Sequence, residues 1–294
     1  MADGSSQADI RGLDIDKLAK GFADEMFVLR KFFNNSTTKN QEMRWYQKTS
    51  GILDTAVTSG MTGSGIANTA KKARPRVVEQ TWTRLTSYAK KFFVESPLIS
   101  DEDIKGSDLD IIATNIRDLV RAVSNQVEKR CYEVITEGLS PSTINTAAAT
   151  GTGWDDLTNG NPIKDVLTGQ QKIRSYGYEP KGAILYINSV EHFNLMNFLI
   201  VTKGASIPSY SSEQVKKAVV MEFLGTNVVV SENATTDNAL MFVPQRAATW
   251  KSFVGLSSGT ITEMGMGKKI RVWEEGEALL TDPKAVHLIT DTVT

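Results

Sequence analysis

Apolar residues recur at steps of three and four in two stretches of the first half of the chain. The first stretch is Ile15, Leu18, Ala19, Phe22, Met26, Leu29 and Phe33, a spacing that puts one face of an N-terminal helix in contact with something apolar. Asp14 can cap its start and Asn34-Asn35 mark its end. Polar sequence isolates this helix on both sides, so its stripe needs a partner: the chain's own core, a neighbouring subunit or an accessory protein. The second stretch is longer. Leu109, Ile112, Ala113, Ile116, Leu119, Val120, Val123, Val127, Cys131, Val134 and Ile135 hold one face from Asp108 to Glu137. Ser107 with Asp110 three residues later makes a capping-box pattern, and Gly138 stands where a C-terminal glycine belongs. At 1.5 Å per residue such a helix is about 45 Å long, the length of a spine and not of a packing unit in a compact enzyme.

A period of two appears between these helices. Val78, Gln80, Trp82 and Arg84 alternate with Val77, Glu79, Thr81 and Thr83, and a second β-rich run covers Tyr88 to Glu95. Neither run is apolar along a whole face, so the expected hairpin projects outward and lies on another surface. Gly, Ser and Thr dominate residues 54–72, which read as a loop, and residues 139–161 read as a flexible connection.

Helices and strands then alternate. Asn161-Pro162 opens a helix that Gly177 closes, and Ala183 to Ile187 is a short buried strand. Ser189 caps a second helix carrying Phe193, Leu195, Met196 and Leu199. A third helix is expected over Glu213 to Leu224, then strands at Asn227–Ser231 and Ala239–Val243. This is a compact α/β unit of roughly 100 residues. The chain ends in strands at Lys269–Trp273 and Ala285–Thr290, with Asp282-Pro283 as the turn before the last.

Composition narrows the function. The chain has 294 residues, 33 Lys plus Arg, 34 Asp plus Glu, two His and one Cys. A hydrophobic fraction of 40% excludes a disordered protein. One Cys cannot form an internal disulfide, and two His with one Cys leave almost nothing for a structural zinc. A net charge of −1 argues against binding nucleic acid through bulk charge. No apolar stretch approaches the length of a transmembrane helix, and the polar start of the chain does not resemble a signal peptide. The default compartment is the cytoplasm, or a particle assembled there.

Catalytic chemistry is not legible. The run Gly265-Met266-Gly267-Lys268 fails the phosphate-loop pattern, because Thr262 occupies the position of its first Gly. His192 and His287 lack an evident carboxylate and nucleophile, and Cys131 sits on the apolar face of the long helix. The only basic cluster is Lys71, Lys72, Arg74 and Arg76, at the base of the expected hairpin. It has no aromatic interleaving, so pairing with carboxylates of a neighbouring subunit is favoured over nucleic acid. The acidic runs Asp101–Asp103 and Glu274-Glu275-Glu277 are candidate partners or solvated faces.

The order of parts is distinctive: arm, projecting two-stranded loop, long helix, α/β domain, closing strand. Together with KKFFVESPLISDEDIKGSDLDIIATNIRDLVRAVSNQVEKRCYEVITEG at 90–138 and GYEPKGAILYINSVEHFNLM at 177–196, it resembles the major capsid proteins of tailed bacteriophages. That fold is shared with herpesvirus capsids and encapsulin shells. MEFLGTNVVVSENATTDNALMFVPQRA at 221–247 and KIRVWEEGEALLTDPKAVHLIT at 269–290 extend the resemblance over about residues 75–290. It implies an α+β fold with an N-terminal arm at 1–58 and an extended β-hairpin loop at 59–98. A peripheral domain would take 99–160 and 251–294 around a spine helix at 108–137, with an axial domain at 161–250. The final strands would return to the peripheral domain.

The implied function is a major capsid protein that assembles as hexamers and pentamers into an icosahedral shell around packaged double-stranded DNA, without sequence specificity. The implied partners are copies of itself, a separate scaffolding protein, a portal and a decoration protein, with no membrane, cofactor, metal or catalytic site. Its place would be the virion, after assembly in the host cytoplasm. Candidate inter-subunit contacts are Phe22 and Met26 on the arm, Lys71, Lys72, Arg74 and Arg76 in the basic cluster, Trp82, Arg84, Lys90 and Lys91 on the loop, and Glu274 and Glu275 near the end. One branch of the family links subunits by a Lys–Asn isopeptide bond. From Thr262 to Thr294 there is no Asn, so no such crosslink is expected. The arm is also too short to include the cleaved scaffold segment of some members. Two alternatives stand beside this reading: the shell of an encapsulin-like nanocompartment, and a small-molecule-binding α/β domain.

Overall fold

A computed structural model describes residues 28–50, 71, 81–106, 111–203 and 222–293. The expected helix up to residue 27, with Phe22 and Met26, lies outside these residues. So do Lys72, Arg74 and Arg76, the capping pair Ser107 and Asp110, and the expected helix from Glu213 to Met221. The chain divides into two compact units, with breaks after Met43, Thr86, Cys131, Thr249 and Ala278.

In the first unit, β1 (Asn34–Thr37), β11 (Ala248–Glu263), β12 (Gly267–Leu280) and β4 (Lys90–Glu95) lie side by side, and β5 (Ile99–Ser100) also pairs with β12. Strands β12 and β4 are antiparallel, with Val272 opposite Val94, Trp273 opposite Phe93 and Glu275 opposite Lys91. A short helix α1 (Asp101–Gly106) precedes α2 (Ile111–Ile135). Ile112, Ile116, Val120, Val123, Val127 and Cys131 are buried along α2, the face that the periodicity predicts. Its 25 residues span about 37 Å. Just beyond it Gly138 adopts φ +65°, a left-handed conformation that suits glycine where a helix stops.

The expected hairpin between 77–84 and 88–95 is not what forms. Strand β3 (Thr81–Tyr88) pairs with β2 (Glu42–Ser50), while the following run becomes β4 and pairs with β12. The difference has a physical cause. Phe92 and Val94 need an apolar face, and β12 offers one with its buried Val272. β3, by contrast, exposes Trp82, Thr83 and Arg84 in succession.

The second unit carries a six-stranded sheet in the order β6–β13–β10–β7–β9–β8. These strands are β6 (Asn145–Ala148), β7 (Ile184–Ile187), β8 (Glu222–Phe223), β9 (Thr226–Val230), β10 (Asn238–Phe242) and β13 (Val286–Thr290). β10 runs antiparallel to β13 and to β7, whereas β6 is parallel to β13 and β9 to β7. All four residues of β7 are buried, the mark of a strand covered on both faces. Helices α3 (Pro162–Arg174) and α4 (Ser189–Phe198) contribute Val166, Ile173 and Leu195 to the core. Asn161 caps α3 by accepting from the Lys164 amide at 3.2 Å, with Pro162 at its start, as expected. α4 is capped by Asn188, one residue before the expected Ser189.

Three further expectations are corrected here. The last strand does not return to the sheet of the first unit: β13 runs inside the six-stranded sheet, where Leu288 lies opposite Leu240. Residues 139–161 are not a flexible connection, because β6 pairs along β13 and Trp154 is fully buried. The indole N–H of Trp154 donates to Asp165 at 2.8 Å, a contact that composition alone does not reveal. The helix expected to run to Leu224 has already given way to strand β8 at Glu222–Phe223.

Candidate assembly surfaces

The first described residues, 28–33, are fastened by a buried polar cluster. Arg30–Phe32 forms one turn of 3-10 helix between the buried Leu29 and Phe33, and the chain is extended from Phe33 onward. The Glu128 carboxylate on α2 accepts from the Leu29 amide at 2.7 Å and the Arg30 amide at 3.1 Å. Burial raises its pKa above the ordinary carboxylate value, and the amide hydrogen bonds pull against that rise. The Arg30 guanidinium meets Glu274 at 2.6 Å and lies 5.0 Å from the ring centre of Trp250. Glu274 is fully buried on β12, and burial raises its pKa against the pull of Arg30. Three residues along, Glu277 pairs with Arg130 at 2.7 Å. Gly276 between them leaves room for Trp250, since an added Cβ would meet its ring at 2.6 Å.

Glu274 therefore has its cation within the chain, and Arg30 is the partner that sequence reading missed. The signal was present. Glu274 falls on the same period-two face of β12 as the buried Ile270 and Val272, where an unpaired charge is costly. Glu275 faces the other way and pairs with Lys91 at 3.3 Å across the strands.

Outward faces carry most of the remaining candidates. Trp82 and Arg84 are exposed on β3, Trp82 by 54%, and Tyr46 on β2 by 58%. Lys90 and Lys91 are exposed on β4. There Phe93 lies 6.4 Å from Trp273, with Lys91 and Arg271 each within about 6 Å of its ring, a cation–aromatic surface rather than a buried one. In the second unit, α4 and the turn after it expose Val190, Phe193, Ile200 and Val201. Lys71 is an exposed turn residue.

No catalytic arrangement is found among the described residues, nor a group of His, Cys, Asp and Glu that could hold a metal. No described helix is long and apolar enough to cross a membrane. Cys131 is buried, which pushes its thiol well above the usual value. His287 is buried against Gly169, and burial together with Lys172 brings its pKa down to about 4. Burial also lowers the pKa of His192.

Residues 98–287 match the family described as phage capsid protein, well over half of the chain. The chain belongs to the phage capsid protein family. No curated protein sequence matches it. Among solved structures, the protein of Mycobacterium phage Che8 superposes with a TM-score of 0.64 at 14% identity, covering 91% of this chain and 92% of that one. The capsid of the cyanophage P-SCSP1u gives 0.64 at 10% identity, over 90% and 88%. A virus-like particle from Pyrococcus furiosus gives 0.60 at 12%, over 94% and 97%. These likenesses show the fold, the α+β fold of tailed-phage capsids. As a capsid protein the chain is a structural component of the virion, and the exposed aromatic and basic faces above are surfaces of such a component.

Proposed function

We propose that this chain is the major head protein of a tailed double-stranded DNA phage. It assembles with itself as hexamers and pentamers into an icosahedral shell that encloses the packaged genome. The family match over 98–287 carries this reading. The charge balance supports it, because a net charge of −1 suits a preformed shell that does not condense DNA by itself. In this reading the β2–β3 ribbon is the extended loop, α2 the spine of the peripheral domain, and α4 with the six-stranded sheet the axial domain. Trp82, Arg84, Lys90, Lys91, the basic cluster at 71–76 and the arm residues Phe22 and Met26 serve contacts between subunits, where many weak symmetric contacts sum to a stable shell. The partners are a scaffolding protein, a portal and a decoration protein, and assembly takes place in the host cytoplasm.

The encapsulin-like reading rests on the Pyrococcus furiosus particle, whose likeness is one of fold. Particle mass by light scattering, with electron micrographs of the same fraction, tests both. Closed shells that package DNA in the infected host support the phage head. Shells that hold an enzyme instead favour the nanocompartment, and a stable monomer in the presence of a scaffold refutes both.

A further inference from the structure

The loop between β6 and α3 contains the one Asn-Gly pair of the sequence, Asn159-Gly160. Such a pair is chemically weak, because glycine has no side chain to keep its amide nitrogen off the Cγ of the preceding Asn. Here a single residue holds both reacting groups. The Gly160 amide donates to the Asp156 carbonyl at 2.8 Å, and Nδ2 of Asn159 donates to the Asp156 carboxylate at 2.9 Å. The same carboxylate accepts from the Thr152 hydroxyl at 2.5 Å and from the Thr158 and Asn159 amides at 2.8 and 3.2 Å. These bonds, the Thr152 hydroxyl foremost, hold the Asp156 carboxyl far below its ordinary value, so it stays an ionised acceptor at neutral pH. Asn159 is exposed to water while Gly160 is buried, and a Cβ on Gly160 would run into the Gly153 and Asp156 carbonyls. Trp154 ties the loop to the core: its ring is fully buried and its amide donates to the Thr292 carbonyl at 2.7 Å.

We propose that Asn159-Gly160 is a latent deamidation site, latched by Asp156, whose reaction opens the loop irreversibly. Once the latch lets go, the Gly160 nitrogen gives its proton to hydroxide and attacks Cγ of Asn159. The N–Cγ bond forms, the Cγ–Nδ2 bond breaks, and Nδ2 leaves as ammonia with a proton from water, which returns the hydroxide. Water then opens the five-membered imide, at Cγ to give aspartate or at the Asn159 main-chain carbonyl to give isoaspartate. Nothing is oxidised or reduced, and water is the only co-reactant consumed. Either product puts a second carboxylate where Asp156 now meets a donor, and like charges at that spacing repel. Isoaspartate also adds a backbone carbon beside Gly160, where not even a Cβ fits.

The test follows deamidation of the full chain by peptide mass spectrometry, read as NH2 exchanged for OH at Asn159, with heavy-oxygen water marking the new carboxyl. Native chain and chain unfolded in guanidinium are compared at one pH and temperature. A charge-assisted hydrogen bond that must break before attack slows it by about tenfold, so the native chain should react about tenfold slower than the unfolded one, or slower still. Asp156→Ala, checked as folded by its thermal transition, should react about tenfold faster than wild type. Asp156→Asn, which keeps an acceptor oxygen without the charge, should lie between. Asn159→Asp, which installs one product directly, should lower the denaturant midpoint. Three results overturn the latched site: no deamidation at Asn159 in the unfolded chain, equal rates in native and unfolded chain, or folded Asp156 variants no faster than wild type. An unchanged midpoint for Asn159→Asp overturns the opening of the loop. The comparison of native with unfolded chain needs no variant, so it decides the matter even where the Asp156 variants fail to fold.

Discussion

In the unit of the six-stranded sheet, the buried Asp165 is met by neutral donors close in sequence. Trp154 donates from 11 residues away, and the amide and hydroxyl of Thr150 from 15. In the unit of the long helix, buried carboxylates are met from much farther off. Glu128 takes its amides from 99 and 98 residues away, Glu277 its arginine from 147 and Glu274 its arginine from 244. The first arrangement completes itself locally and supports a hydrophobic core. The second staples distant segments together with charge, and its strength depends on every partner being present. The surroundings of Asp165 therefore tolerate the loss of one polar contact better than the root of the arm does.

The sharpest way to break that contrast is Arg30→Met. It leaves Glu274 buried without its cation and should cost about 3–5 kcal/mol, seen as a fall in the denaturant midpoint. Adding Glu274→Met should recover most of the loss. If the single variant matches wild type, the charged staple is not what holds residues 28–33.

Acid separates the two units next. His287 has a folded-state pKa near 4 against an ordinary value of 6.5, so the folded chain resists protonating it. Its stability is complete above pH 6.5 and is lost as pH falls toward 4, by up to about 3 kcal/mol. Glu128 and Glu274 are raised, so the folded state is penalised above the ordinary carboxylate pKa and relieved as pH falls toward it. Glu191, raised in the sheet unit by its own burial, acts in the same direction as these two. Comparing wild type with His287→Leu isolates the histidine: the variant's relative stability should climb as pH drops through that window, and a flat difference contradicts the assignment.

A smaller effect tests the neutral contact. Trp154→Phe keeps an aromatic ring but deletes the N–H that donates to Asp165 and part of the buried indole, and about 1–3 kcal/mol should be lost in thermal unfolding from the hydrogen bond, with the cavity adding to it. Thr150 still donates to the carboxylate, which keeps the hydrogen-bond share at the low end. The smallest is Lys91→Ala. This exposed cross-strand pair with Glu275 should change stability by at most about 0.5 kcal/mol, and a large loss would show that the β4 surface is integral to the fold.

Elements whose periodicity is sustained were legible from sequence: α2 from its buried stripe, α3 from its cap and proline, β7 from its unbroken apolar run. Strand pairing was not, because a period of two says which face is buried but not against which strand. That is how β4 came to be read beside β3. Strand β2 was missed although Met43 and Gln47 alternate inward with Arg44 and Tyr46 outward, since its inward set mixes apolar and polar types. Trp45 and Gln47 both donate to the Leu280 carbonyl, at 3.0 and 2.5 Å, a contact across more than two hundred residues that no local pattern encodes. The exposed candidates Trp82, Arg84, Lys90 and Lys91 could be named because outward aromatic and basic residues on strands are visible in sequence. The root of the arm could not, because Glu128 binds backbone amides, which every sequence possesses.

The wide separation of Arg30 from Glu274 also sets a timetable. A ribosome adds about 5–20 residues per second, so the 244 residues between the two partners take about 12–50 s to synthesise. For that interval Arg30 exists without the carboxylate that neutralises it. Glu128, only 98 residues on from Arg30, is available much sooner, so the backbone amides can be held well before the ion pair closes.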